Sequence, residues 1–306
     1  MANTRALRNK IRSIKNTKKI TRTMEMIATA KSRVCQKRIE AIQPYGHKLA
    51  ELMQDLKQAR DTMGDDVAAG FPLLRKPTKI GLEAVIIITA NRGLCGGYNS
   101  NTLKLAERQL DARAAAGLKT VVHMVGKKGA SRFKYARRAV EKHYFEFEDK
   151  PTFAQAEAVL QPLLDAFAAG ALDAVTLVST RYKNAARQAP ETHALLPLSD
   201  AAAGASAAPA KKDAAAKAPA HVDFIFEPSP QHILSTLLPL SLKMQFFQAL
   251  VEAAASEQIA RRIAMKNATD NAQDMVQSYT QLYNRTRQAG ITQEILEVLG
   301  GSESLK

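Results

Sequence analysis

"FQALVEAAASEQIARRIAMKNATDNAQDMVQSYTQLYNRTRQAGITQEIL", Phe247 to Leu296, carries the pattern on which the fold turns. Stepping from Phe247 by four and three gives Val251, Ala254, Gln258, Arg261, Met265, Ala268, Ala272, Met275, Tyr279, Leu282, Thr286, Ala289, Gln293 and Leu296. Most are apolar or small, which is the spacing of a coiled-coil seam. No proline follows Pro239. About sixty uninterrupted helical residues span roughly 90 Å, several times an average globular helix. Such a helix must protrude, pair with another long helix, or both.

The N-terminal sixty residues supply the partner. Leu7, Ile11 and Ile14 are spaced four and three apart, Ile20, Met24 and Ile27 repeat that spacing, and Tyr45, Leu49, Leu52 and Leu56 resume it. The apolar positions lapse at "KNTKK", Lys15 to Lys19, which predicts a break there, and Pro44 with Gly46 predicts a kink or a division of the helix. Between the two helices the rhythm changes. "IGLEAVIIIT", "KTVVHMVG" and "DAVTLVSTRY" are short β-rich runs, separated by the helical "NTLKLAERQLDARAAAG" and "TFAQAEAVLQPLLDAFAAG". That alternation argues for βαβ units and a mostly parallel sheet. With an α/β segment inserted between them, the terminal helices pair most simply as antiparallel neighbours. Residues 199–220, small residues with Pro209, Pro219 and scattered lysines, read as a flexible surface insertion.

Composition narrows the function. Lys and Arg outnumber Asp and Glu by 44 to 29, a formal charge of +15, so an acidic partner is implied: nucleic acid, anionic membrane or acidic protein. Over residues 5–38 a dozen basic side chains meet the single acid Glu25. No aromatic precedes Tyr45, and the helix has an apolar stripe, which favours protein over nucleic acid. Cys35 and Cys95 fit a reducing compartment and make no disulfide framework. The longest apolar run, around Val85 to Ile88, is strand-sized and not membrane-spanning. MANTRALRNK lacks the apolar stretch of a secretory signal, and helical patterning from Leu7 predicts no removable leader.

"ITANRGLCGGYNSN", Ile88 to Asn101, has the strand, glycine loop and helix layout that cradles phosphates. It lacks the Lys-Ser/Thr of a P-loop and the Rossmann glycine spacing, and "VGKKGAS", Val125 to Ser131, fails in the same way. Both read as tight turns that use glycine's positive φ. The six histidines are scattered, which gives Cys95 no evident base and suggests no metal pair. No cofactor is expected.

"IRSIKNTKKITRTMEMIATAK", "ITANRGLCGGYNSN", "FEPSP", "EAAASEQIARRIAMKNATDNA" and "YNRTRQAGITQEILEVLGG" occur in that order. Together they closely resemble the γ subunit of bacterial F-type ATP synthase. The resemblance implies an α+β/α fold: a long antiparallel coiled coil of the N- and C-terminal helices with an inserted Rossmann-like α/β domain. The divisions it suggests are 1–60 for the N-terminal helix, 61–78 a connector, 79–198 the α/β domain, 199–220 the insertion, 221–230 a return strand and foot, and 231–306 the C-terminal helix. It implies a non-catalytic central rotor shaft, coupling proton-driven rotation of a c ring to conformational cycling of the β catalytic sites. Its partners would be three α and three β subunits, the ε subunit and the c ring, with no nucleic acid and with membrane contact only through the complex. That complex would lie peripherally at the cytoplasmic face of the bacterial plasma membrane. The resemblance points to Met24, Arg261, Arg287, Gln288 and Thr292 as contacts with the α/β-subunit sleeve, and to Phe224, Phe226 and Glu227 as the foot at the c ring and ε. Asn91 stands where the family commonly has Asp, and Arg262 where Met is usual. The alternative is a basic coiled-coil adaptor for membrane or nucleic acid.

Overall fold

The computed structural model describes residues 2–63, 72–75, 77, 80–147, 149–197 and 230–303. The insertion 199–220 and the foot residues Phe224, Phe226 and Glu227 lie outside them. Helix α1 runs Ala2–Met63 and helix α5 runs Pro230–Glu303. Strands β1 (Leu82–Ile88), β2 (Lys119–Val125), β3 (Lys142–Tyr144), β4 (Ala174–Tyr182) and β5 (Gln188–Leu196) alternate with α2 (Tyr98–Ala115), α3 (Lys127–Tyr135) and α4 (Phe153–Ala168). The chain divides into two compact units, one of residues 1–30 with 261–306, the other of residues 31–260.

The larger unit is a three-layer α/β body. Its sheet has the order β3-β2-β1-β4-β5, parallel except for the β4–β5 hairpin. Central strand β1 is apolar apart from Glu83 and is buried on both faces, as a parallel strand between helical layers must be. Alternate residues divide the work. Val85 and Ile87 pack with Leu103, Ala106 and Leu110 of α2 and Phe133 of α3. Ala84, Ile86 and Ile88 pack with Val159, Leu163 and Phe167 of α4, Leu242, Phe246 and Leu250 of α5, and Cys35 and Ile39 of α1. Helix α4 starts on a capping box, in which Thr152 Oγ1 accepts from Gln155 N (3.3 Å) and Gln155 Oε1 accepts from Thr152 N (2.9 Å). Within β1, Glu83 is buried. It accepts from Arg113 Nε and from the Thr176 hydroxyl, each at 2.5 Å.

The smaller unit is an antiparallel pair of helical segments. Arg8 donates to the Tyr283 hydroxyl (3.1 Å), Lys18 to Gln273 Oε1 (2.5 Å) and Thr269 to Thr21 Oγ1 (2.9 Å). Partners advance along α1 as they retreat along α5, which fixes the direction and the register. The non-exposed positions of α1 include 4, 7, 11, 14, 18, 21, 25 and 28 here, and 32, 35, 39, 42, 46 and 49 in the larger unit. That is an unbroken heptad seam, and the expected lapse at Lys15–Lys19 does not occur. Lys18, Thr21 and Glu25 carry the seam where apolar residues are missing. The polar atoms of Lys18 and Thr21 are bonded, Lys18 to Gln273 and Thr21 donating to the Lys18 carbonyl at 3.1 Å. Ile20, Ile27 and Tyr45, expected in the seam, are 59%, 51% and 50% exposed.

On α5 the seam steps Met265, Thr269, Ala272, Val276, Tyr279, Tyr283, Thr286. The expected Met275 and Leu282 are instead 53% and 47% exposed, and Ala289, Gln293 and Leu296 are exposed as well. Choosing by apolarity selected Ala268 over Thr269 and put alternate seam positions off by one. The register brings Ala2 opposite position 289, and among the described residues α5 is exposed at every position from 287 to 299. Nor does Pro44 divide α1. Pro44 is exposed, so water can satisfy the carbonyl it leaves free. Gly46 meets α5 closely, since a Cβ there would lie 3.3 Å from Gln248 Oε1.

Arg113→Met leaves Glu83 as an uncompensated buried carboxylate. We expect a loss of about 3 kcal/mol, read as lowered hydrogen-exchange protection of β1 and β4 in the purified chain. Unchanged protection would show that the pair adds nothing to the sheet.

Candidate partner surfaces

In a Rossmann-like sheet, ligands occupy the crevice at the carboxyl ends of the strands. Here the crevice beyond β1 and β2 is lined by Thr89, Asn91, Arg92, Lys127 and Asp149, and Leu250, Ala253, Ala254 and Glu257 of α5 form its other wall. The remaining space is about 210 Å³, below the roughly 300–1,000 Å³ of small-molecule sites. The α3 amides that would meet a phosphate are already used. At the start of α3, Lys127 N donates to Asn91 Oδ1 (3.0 Å), Lys128 N to the Ala90 carbonyl (3.1 Å) and Gly129 N to Thr89 Oγ1 (3.0 Å). At the start of α2, Tyr98 N donates to the Cys95 carbonyl (3.2 Å), while Asn99 Oδ1 accepts from Ala90 N (2.9 Å). Asn91 also donates from Nδ2 to the Phe147 carbonyl (2.6 Å). A carboxylate at position 91 could not make that bond, so asparagine suits this loop.

Positive φ occurs at Gly96 (56°) and Gly126 (98°), and also at Leu94 (62°). Gly126 and Gly129 are needed for close packing. A Cβ at Gly126 would lie 2.1 Å from the Thr89 carbonyl oxygen, and one at Gly129 2.3 Å from Met124 Sδ. Cys95 is buried with Ala90 and Tyr98 against Ala260, and Asn99 Nδ2 lies 3.1 Å from its sulfur. Burial raises the Cys35 thiol above its ordinary pKa, with the charge of Asp149 adding to the shift. It is therefore held as the neutral thiol and not as the nucleophilic thiolate. Among the described residues no His, Cys, Asp and Glu group is arranged to hold a metal, and no helix is long and apolar enough to cross a membrane.

The exposed surface of the smaller unit has another character. Ile20, Met24 and Ile27 form an outward stripe beside the seam of α1, 36% to 59% exposed, among the exposed Lys15, Lys19 and Arg22. On α5, Arg287, Gln288 and Thr292 are exposed, and the Thr292 hydroxyl donates to the Gln288 carbonyl (3.0 Å). Ile291, Ile295, Leu296, Val298 and Leu299 are 48% to 73% exposed. Arg261 is half-buried at the start of this segment, apart in sequence from the Arg287 group. Bare apolar rows on a helix already paired by another face mark a protein contact. The sequence had offered Ile20 and Ile27 as seam residues. The signal that they are a second face was the full heptad through Lys18 and Thr21, which apolarity alone hides.

A family model described as ATP synthase matches residues 3–305. The ATP synthase gamma chain of Leptospira biflexa is 39% identical over 305 residues, covering 100% of both chains. That of Gemmatimonas aurantiaca is 40% identical over 306 residues, again covering 100% of both. This chain belongs to the ATP synthase gamma chain family. A chain in the Euglena gracilis mitochondrial ATP synthase, in a structure containing F1 and the c ring, shares the fold with a TM-score of 0.64. It is 20% identical, and the match covers 99% of this chain and 95% of that one. In this gamma-chain fold the glycine loops are joints of the α/β body, closed by α5 and by their own hydrogen bonds.

Gly126→Ala should prevent the α/β body from folding, because its Cβ meets backbone. Gly117→Ala has open space at φ 73° and should cost only about 1 kcal/mol. Circular dichroism melts of the two variants compare them directly. Equal stability would refute the packing role of Gly126.

Proposed function

We propose that this gamma chain is the non-catalytic central shaft of an F-type ATP synthase. Rotation driven by proton flow through a c ring turns it, and it cycles the β catalytic sites; ATP hydrolysis turns it the other way. The observation that carries this reading is the alignment with gamma chains along the whole length, both terminal helices included. Its place would be peripheral, at the cytoplasmic face of the bacterial plasma membrane.

The physics suits a shaft. Two helices locked in register resist twist better than one. Basic side chains facing acidic loops attract with weak dependence on angle, because charge forces decay slowly with distance. The stripe of Ile20, Met24 and Ile27 and the exposed end of α5 offer apolar contact that slides, since the hydrophobic effect is non-directional. Met24, Arg261, Arg287, Gln288 and Thr292 are assigned to the sleeve of α and β subunits. Phe224, Phe226 and Glu227 are assigned to the foot at ε and the c ring. The closed glycine loops support the absence of catalysis by this chain. The reading is tested by reconstituting α and β with and without the purified chain. ATPase of the particle should require it, and a particle equally active without it would refute the shaft.

Arg287 and Gln288 can bond a β carboxylate or carbonyl at some shaft angles only. Losing that bond costs about 1–3 kcal/mol at those angles. Arg287→Ala with Gln288→Ala should therefore slow ATP turnover in assembled particles and lower torque less. Turnover equal to wild type would make these residues ordinary coil surface.

A further inference from the structure

In the larger unit, one carboxylate joins three parts of the chain. Asp149 lies in the loop between β3 and α4. Its Oδ2 pairs with Lys31 Nζ of α1, and its Oδ1 accepts from Gln258 Nε2 of α5 at 2.6 Å. The same loop is stitched to α1 twice more. The Cys35 thiol lies 3.7 Å from the Asp149 carbonyl, and Arg38 Nη2 donates to the Pro151 carbonyl at 2.9 Å. Lys31, Cys35 and Arg38 are four and three apart, on one face of α1. The loop's ends are fixed to the body. Asn91 holds the Phe147 carbonyl before Asp149, and the Thr152 capping box anchors α4 after it.

Much of the remaining contact between these helices and the body is apolar. There are polar ties as well: Glu252 of α5 accepts from Tyr182 N (3.3 Å), Lys243 of α5 pairs with Glu157 of α4 (2.7 Å), and Gln36 of α1 donates to the Tyr182 hydroxyl (3.4 Å). Each of these holds one helix, whereas Asp149 holds both. Apolar packing opposes separation strongly but sets angle weakly, because it is non-directional. Hydrogen bonds and ion pairs have direction. Both Lys31 and Asp149 keep about a third of their side-chain surface exposed, so the joint adds little to global stability. Its larger effect is on the setting of the helices. The carboxylate is bidentate across the pair, with one oxygen to each helix, so neither helix can turn against the body without breaking a bond.

We propose that Asp149 is the joint that passes torque between the α/β body and both long helices. The proposal rests on the shaft reading. When the body is driven, Asp149 and its loop carry the load into α1 and α5 together. Without it, α1 and α5 lose their common tie to the loop between β3 and α4 and part of each turn is lost.

The test uses the assembled, membrane-embedded complex, in which ATP hydrolysis and ATP-driven proton pumping are measured together. Asp149→Ala should leave uncoupled hydrolysis near wild type and lower protons pumped per ATP by about threefold or more. Lys31→Met, which keeps the packing of the stem, should lower the ratio less. Lys31→Asp combined with Asp149→Lys should restore it, since the pair is rebuilt and the Gln258 amide can turn its oxygen to the new ammonium. A merely structural role would lower the amount of complex and both activities in proportion, and would not be rescued by the exchange. An unchanged ratio in both single variants, or no recovery in the exchange, overturns the joint. If the wild-type complex pumps equally well without this chain, the shaft reading itself fails, which is a distinct result.

Discussion

Helices of 62 and 74 residues cannot bury their apolar stripes on a five-stranded sheet alone. They must bury them on each other, and the pairing of Thr21 with Thr269 sets how. A heptad repeat leaves many registers nearly equal in apolar contact, because shifting by seven residues exchanges one small or apolar residue for another. Thr21 and Thr269 meet in the buried seam, each also bonded to a carbonyl of its own helix, and a slipped register would set each hydroxyl against an apolar residue instead. Lys18 with Gln273 and Arg8 with Tyr283 repeat the same instruction toward the N-terminal end of α1. The outward stripe at Ile20, Met24 and Ile27 follows from this choice. Once Lys18, Thr21 and Glu25 occupy the seam, the apolar residues beside them face outward.

The same helices decide what the α/β body can do. α5 forms a wall of the crevice where a nucleotide would sit in a related sheet, and Asn91, Ala90 and Thr89 consume the first amides of α3. A ligand-binding architecture has become a mechanical one. Its loops hold helices where others hold phosphates, and Gly126 and Gly129 admit backbone and side chain where a P-loop would admit a ligand.

Much of this was legible in the residues. The alternation of β-rich and helical runs from Lys79 onward gave the parallel sheet, because its period is local. The missing Lys-Ser/Thr excluded a P-loop without any coordinates. Apolarity misled where polar residues carry structure. Apolar spacing predicts a lapse at Lys18 and places Ala268, Met275 and Leu282 in the seam, where Thr269, Val276 and Tyr283 stand. Pro44 looked like a boundary because its exposure, which lets water replace the lost hydrogen bond, is a tertiary property. Asp149 left no trace in the sequence, since Lys31 and Gln258 lie more than a hundred residues to either side and their meeting depends on the whole fold. The sleeve and foot residues came from resemblance alone, since contact with another chain leaves no periodicity of its own.

The central claim is that the two terminal helices turn as one body in a fixed register. Cysteines placed at Thr21 and Thr269, whose oxygens are 2.9 Å apart, test it in the assembled complex. Oxidation should form an interhelical disulfide, and ATP-driven proton pumping should continue at the rate of the reduced complex. A disulfide that fails to form would contradict the register, and pumping that stops on oxidation and returns on reduction would show that the helices must move against each other.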